Sequence, residues 1–207
     1  MYEEILDRVK VVENGFKEIE KEALVLVKNN TIEESFNIGK EFYLSEIYQV
    51  RELGVFIFGE IAWKKNEALV LLKEEVSLDE NWRVQEILAK VFDKYCSCVG
   101  YEKTLPVIKE WLKSDRANVR RAVTEGLRIW TGRDYFRDHP KVAVDLLSEL
   151  KEDESEYVRK SVGNALRDIS KKHTSLIIEE LKTWDISNKH INQVYKLANK
   201  YIKDRGL

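Results

Sequence analysis

Val158-Arg159-Lys160-Ser161-Val162 repeats in outline a pattern met three times earlier, at Val50-Arg51-Glu52-Leu53-Gly54, Trp82-Arg83-Val84-Gln85-Glu86 and Val119-Arg120-Arg121-Ala122-Val123. With Val50, Val84, Val119 and Val158 as equivalent anchors, the same four offsets are small or apolar in every copy. They read Leu53, Gly54, Ile57 and Ile61; Ile87, Leu88, Val91 and Tyr95; Ala122, Val123, Gly126 and Trp130; Ser161, Val162, Ala165 and Ile169. Offsets of three, four, seven and eleven share one side of a 3.6-residue helix, so each copy reads as a helix with one buried stripe. The anchors lie 34, 35 and 39 residues apart, the range of two-helix units that bury their apolar face only by stacking on a neighbour. The expectation is an all-α, HEAT-like α-solenoid of about six antiparallel helix pairs, forming a single domain over residues 1–207.

Composition agrees. Nine glycines and two prolines in 207 residues are too few for the many turns of a sandwich or barrel. Breaks near Asn29-Asn30, Lys64-Lys65-Asn66, Ser77-Leu78-Asp79, Ser114-Asp115, Gly132-Arg133-Asp134, Lys151-Glu152-Asp153 and Asp185-Ile186-Ser187 divide the chain into roughly twelve helices of about 10–18 residues. Thr31 and Glu34 form a capping-box start. No apolar run approaches a membrane span and the N-terminus has no secretory pattern, which points to a cytoplasmic protein with no membrane partner. Cys96 and Cys98 have no second pair to complete a zinc site, and His139 and His190 have no acid or cysteine at ligand spacing, so neither metal nor cofactor is expected. No nucleophile elbow, phosphate loop or dinucleotide fingerprint is present.

The repeated helices are the second of their pairs and are therefore expected to line a concave surface. Offsets of two, six, nine, ten and thirteen point away from the apolar stripe. In the last three copies these positions hold seven cations (Lys90, Lys94, Arg121, Arg128, Lys160, Arg167, Lys171) and four acids (Glu86, Asp93, Glu125, Asp168). The face is thus net +3 in a chain of net −2, which suits a polyanionic backbone such as DNA. Glu86, Glu125 and Asp168 stand at offsets two, six and ten, each one turn further along its helix, within roughly 80° of arc. A diagonal row of acids across a basic groove repels phosphate and so asks for a reason. One is stabilisation of an oxocarbenium-like sugar or orientation of water against it. Spacing alone leaves open an ordinary ion-pair network with Lys90, Arg121, Arg128, Arg167 or Lys171.

Asn81 to Glu86, Val119 to Gly126 and Ser155 to Asn164 with its continuation Leu166 to His173 resemble the bacterial DNA alkylation repair glycosylases of the AlkC/AlkD superfamily, and the AlkC branch more closely. The resemblance covers roughly residues 45–185. It implies HEAT-like repeats that wrap damaged double-stranded DNA and release N-alkylated bases such as 3-methyladenine by cleaving the N-glycosidic bond, without drawing the base into a deep pocket. It also implies that Glu86, Glu125 and Asp168 contact the lesion deoxyribose. After Arg128 the chain departs from the AlkC pattern, reading Ile129-Trp130-Thr131-Gly132-Arg133, and Trp130 falls on the apolar stripe as a core residue.

Arg121, Arg128, Lys160, Arg167 and Lys171 are expected to hold phosphates, with Lys90, Lys94 and Lys172 beside them. Lys172 and His173 at a helix end equally suit the C-terminal dipole. Trp82 and Tyr157 open their helices and are candidates for stacking on DNA, although packing against the preceding turn is the more ordinary role. Phe56 belongs to a helix that is apolar all round and is expected to lie buried; Trp63 is placed with it on the outward side. Arg120 and Arg159, at the same offset, are expected to bridge adjacent repeats. The first 45 residues and the last helix read only as packing. A monomeric glycosylase is the leading expectation; a non-catalytic member binding branched or bent DNA and a protein-binding scaffold are the alternatives.

Overall fold

The computed structural model describes residues 2–204, and among them the chain forms fourteen α-helices, two 3₁₀ turns and no strand. This exceeds the roughly twelve expected from periodicity, because short helices of five residues follow turns that sequence spacing merged into their neighbours. The chain divides into two compact units, residues 1–99 and 100–207.

The first unit contains α1 (Glu3–Lys10), α2 (Lys17–Asn29), α3 (Ile32–Tyr43), α4 (Tyr48–Ile61), α5 (Asn66–Glu74), a 3₁₀ turn at Val76–Leu78 and α6 (Trp82–Val99). Thr31 and Glu34 make the reciprocal capping box that starts α3. At the centre is α4, packed against α2, α3 and α6. Its apolar sequence is buried on nearly every side, Phe56 and Phe58 included, whereas Trp63 just beyond it is part-exposed. The crossing with α3 is close enough that a Cβ on Gly54 would lie 2.7 Å from the Gly39 carbonyl oxygen, so only glycine fits there.

The second unit contains α7 (Leu105–Leu112), α8 (Ala117–Gly126), a 3₁₀ turn at Trp130–Gly132, α9 (Asp134–Asp138), α10 (Pro140–Ser148), α11 (Glu156–Ser170), α12 (Thr174–Lys182), α13 (Lys189–Ala198) and α14 (Lys200–Asp204). Here α11 is central, flanked by α8, α10, α12 and α13. The stripe positions Val162, Ala165 and Ile169 are fully buried, each large aliphatic contributing about 1.5–3 kcal/mol.

The residue after each anchor explains why the repeats keep their spacing. Arg51, Gln85, Arg120 and Arg159 each donate to the backbone carbonyl six residues earlier, at Ser45, Asp79, Ser114 and Asp153. The arginines also reach the following repeat: Arg51 pairs with Asp79, Arg120 with Asp153, and Arg159 donates to Gln193. The bridging expected of Arg120 and Arg159 is present. A guanidinium serves because its planar fork donates in two directions at once.

One expectation fails at the third repeat. Offsets nine, ten and thirteen were read as a continuing helix, but α8 stops at Gly126. The Arg128 N–H turns back onto the Glu125 carbonyl at 3.2 Å, Ile129 adopts the left-handed conformation (φ 56°, ψ 52°), and the Arg133 side chain donates to the Gly126 carbonyl. Trp130 is core as expected, yet it arrives there through a 3₁₀ turn rather than along a helical stripe.

Candidate nucleic-acid interface

In the first unit the polar side of α6 carries Trp82, Glu86, Lys90 and Lys94. Trp82 and Glu86 are one turn apart and therefore share a face. Trp82 is 61% exposed, which corrects its expected packing role; the Arg83 guanidinium sits 5.0 Å over its ring. Glu86 is exposed, and among the described residues no ion pair or hydrogen bond engages its carboxylate. Lys90 and Lys94 are each tied to an acid, Glu20 at 3.2 Å and Glu60 at 3.4 Å. Glu52, at the offset of Glu86 but one repeat earlier, is 3% exposed and accepts no hydrogen bond among the described residues. Burial, with a smaller push from Glu86, outweighs Arg83 and Arg51 and lifts its carboxyl to about 7.

In the second unit Glu125 and Asp168 come together on Arg128, whose guanidinium lies 3.4 Å from one and 3.1 Å from the other. Ser161 donates to the second Glu125 oxygen at 2.7 Å. Lys171 donates to Asp168 at 2.7 Å and Arg167 stands 3.7 Å away. Asp168 is 8% exposed rather than open on the face, which corrects its expected accessibility. The cause is the broken end of α8, which swings Arg128 across it. Burial alone raises the Asp168 carboxyl, but the bonds from Lys171 and Arg128 outweigh it and hold the group below the usual aspartate range.

The remaining sequence candidates divide clearly. Lys160 pairs with Glu156 one turn back at 2.7 Å. Arg121 and Lys172 have no side-chain partner among the described residues, and Lys172 is exposed. Tyr157 is 73% exposed, again correcting the packing expectation. Among the described residues no group of His, Cys, Asp or Glu is arranged to hold a metal, and no helix is long and apolar enough to cross a membrane. Sequence reasoning missed the lysines of α13 and α14, whose signal was a helix with several cations and a single acid.

An all-helical chain of repeated helix pairs defines a HEAT-like repeat protein. A family model described as DNA alkylation repair enzyme matches residues 11–204, and the chain belongs to that family. It is similar to AlkD2 from Streptococcus mutans, with 51% identity, coverage of 97% of this chain and 99% of that one, and a TM-score of 0.93. Pseudomonas fluorescens AlkC, solved bound to DNA containing an abasic site analog, shares the fold at 21% identity, with 92% of this chain and 62% of that chain covered and a TM-score of 0.53. The expected leaning toward the AlkC branch is thereby corrected: the likeness is AlkD-like. An uncharacterized Bacillus subtilis protein, YhaZ, is 32% identical over 109 residues, 51% of this chain but only 30% of the relative's length.

Proposed function

We propose that this chain binds duplex DNA carrying cationic alkylated bases such as 3-methyladenine and releases them by hydrolysis of the N-glycosidic bond, with Glu86 as the working carboxylate. The observation that carries this reading is the contrast in access among the three acids: Glu86 is exposed and unengaged beside exposed Trp82, while Glu125 and Asp168 are occupied by Arg128 and its neighbours. An N3-alkylated adenine already bears positive charge and leaves without general-acid help. What the protein must supply is negative charge beside the sugar as it becomes oxocarbenium-like, and a carboxylate does this without a metal. In this scheme Glu125 and Asp168 act as positioning residues that hold Arg128 in place.

The test is release of free methylated bases from methylated duplex DNA, read by mass spectrometry. Glu86→Gln is expected to lower release by about 100-fold, the scale of one lost electrostatic contact in a transition state, with duplex affinity kept or slightly raised. Unchanged release in Glu86→Gln refutes the assignment. The cationic engagement of Glu125 and Asp168 favours a second reading, a member that binds DNA without excision; wild-type protein that binds duplex but frees no base would establish it. Binding insensitive to salt would instead favour a protein scaffold.

A further inference from the structure

Most cations singled out on the inner-helix faces are consumed within the protein. Lys90, Lys94, Lys160, Arg128 and Lys171 each hold a carboxylate. The last two helices differ. Residues 186–204 contain four lysines, Lys189, Lys196, Lys200 and Lys203, against one acid, Asp204, in a chain whose net charge is −2. All four lysines are exposed, and among the described residues none has a carboxylate or hydrogen-bond partner.

Their spacing is seven, four and three residues. Asn199, between α13 and α14, has φ −80° and ψ −10°, so the helical path continues through it. At about 100° per residue the four lysines fall within roughly 60° of arc and extend along about 20 Å of axis. Ile191, Val194, Ala198 and Ile202, all buried, occupy the opposite side. Each end of this stripe opens on a groove. One, of about 740 Å³, runs between α11 and α13 and is lined by Lys160, Asn164, Lys189 and Lys196 among others. The second, of about 430 Å³, is lined by Lys196, Lys200 and Lys203 with Tyr195 and Asn199.

From this arrangement we infer that α13 and α14 form a phosphate-binding track for duplex DNA, continuous through the larger groove with the polar side of α11. The inference rests on the DNA-binding reading above and adds a contiguous row of four unpaired cations to it. A row of ammonium groups without internal partners gives up no ion pair on meeting phosphate. Paired cations such as Lys160 must first release an acid, which offsets the gain. The amides of Asn164 and Asn192 in the larger groove offer donors to phosphate oxygens without adding charge. Gln193 is held between Arg159 and Glu156, and Glu156, the acid in that groove, is paired with Lys160.

The experiment measures anisotropy of a short labelled undamaged duplex across a range of salt concentrations. It uses the wild type, the quadruple variant Lys189→Gln, Lys196→Gln, Lys200→Gln and Lys203→Gln, and a double variant Arg121→Gln with Lys172→Gln. Circular dichroism melts confirm that each variant is folded. The quadruple variant is expected to bind at least about tenfold more weakly at low salt, with the log–log salt slope shallower by up to about 3.6, since each of four phosphate contacts contributes about 0.9. Unchanged affinity and slope in the quadruple variant, alongside weakening in the double variant, overturns the α13–α14 track and leaves the DNA-binding reading intact. A wild type that does not bind duplex overturns both.

Discussion

Glu86 in the first unit and Asp168 in the second carry the same chemical group and were read from the sequence as members of one row, yet they meet opposite environments. Glu86 stands in solvent one turn beyond an exposed tryptophan. Asp168 lies beneath Arg128 and Lys171 with 8% of its surface exposed. An unengaged carboxylate can meet a cationic sugar; one that already neutralises two cations has little field left to offer. The comparison teaches that the position of an acid on a helix face says less about its role than whether a neighbouring element brings a cation to it.

Removing the engaged acid is the largest perturbation expected of stability. Asp168→Asn leaves Arg128 and Lys171 without their shared partner and should cost about 2–3 kcal/mol at pH 7 in urea unfolding, less than the about 3–5 kcal/mol of a fully buried pair because both cations are part-exposed and Arg128 keeps Glu125. The sign with pH follows from the depressed carboxyl. Its stabilisation is present above the ordinary aspartate range and is lost as pH falls through the lower folded value, so wild type and variant converge in acid. A variant as stable as wild type at pH 7 would mean the network is decorative.

Glu52 sharpens the contrast from the other side, as a carboxylate buried with no bond to compensate it. Its folded value of about 7 against an ordinary 4.5 means that the folded chain holds a proton the unfolded chain has released. Stability contributed by the neutral form is therefore full below about 4.5 and declines as pH rises through 7. Glu52→Gln should leave stability at pH 5 nearly unchanged and raise it at pH 8 by about 2 kcal/mol. Equal effects at both pH values would show that Glu52 is solvated.

The smallest effect is expected at Ile129. A β-branched residue in the left-handed region, 52% exposed, accepts backbone strain with little burial to offset it. Ile129→Gly should stabilise the chain by about 1 kcal/mol, raising the melting temperature by about 2–4 °C. A fall in melting temperature would show that the side chain holds the turn that delivers Arg128.

The stripe from Val50 to Ile169 was legible because burial on one side of a helix leaves a period in the chain, and the Thr31 cap and the Arg120 and Arg159 bridges were legible because each is local or repeats at a constant offset. The end of α8 was not, since Gly126, where it stops, fits the small-residue stripe equally well and Leu127, Arg128 and Ile129 carry no further glycine or proline. The exposure of Trp82 and Tyr157 also escaped the sequence, because a helix-start aromatic looks the same whether or not a neighbour covers it.

What the sequence by itself determined is the all-helical repeat and the set of charged groups on the repeated helices, because periodicity and charge are properties of the chain. Only the tertiary structure decided which of those charges are already spent. Whether Arg128 meets Asp168, forty residues away, or whether the four lysines of α13 and α14 meet any acid, depends on where other helices place their side chains. Coulomb attraction falls off over a few ångströms, a distance that spacing along one helix cannot encode.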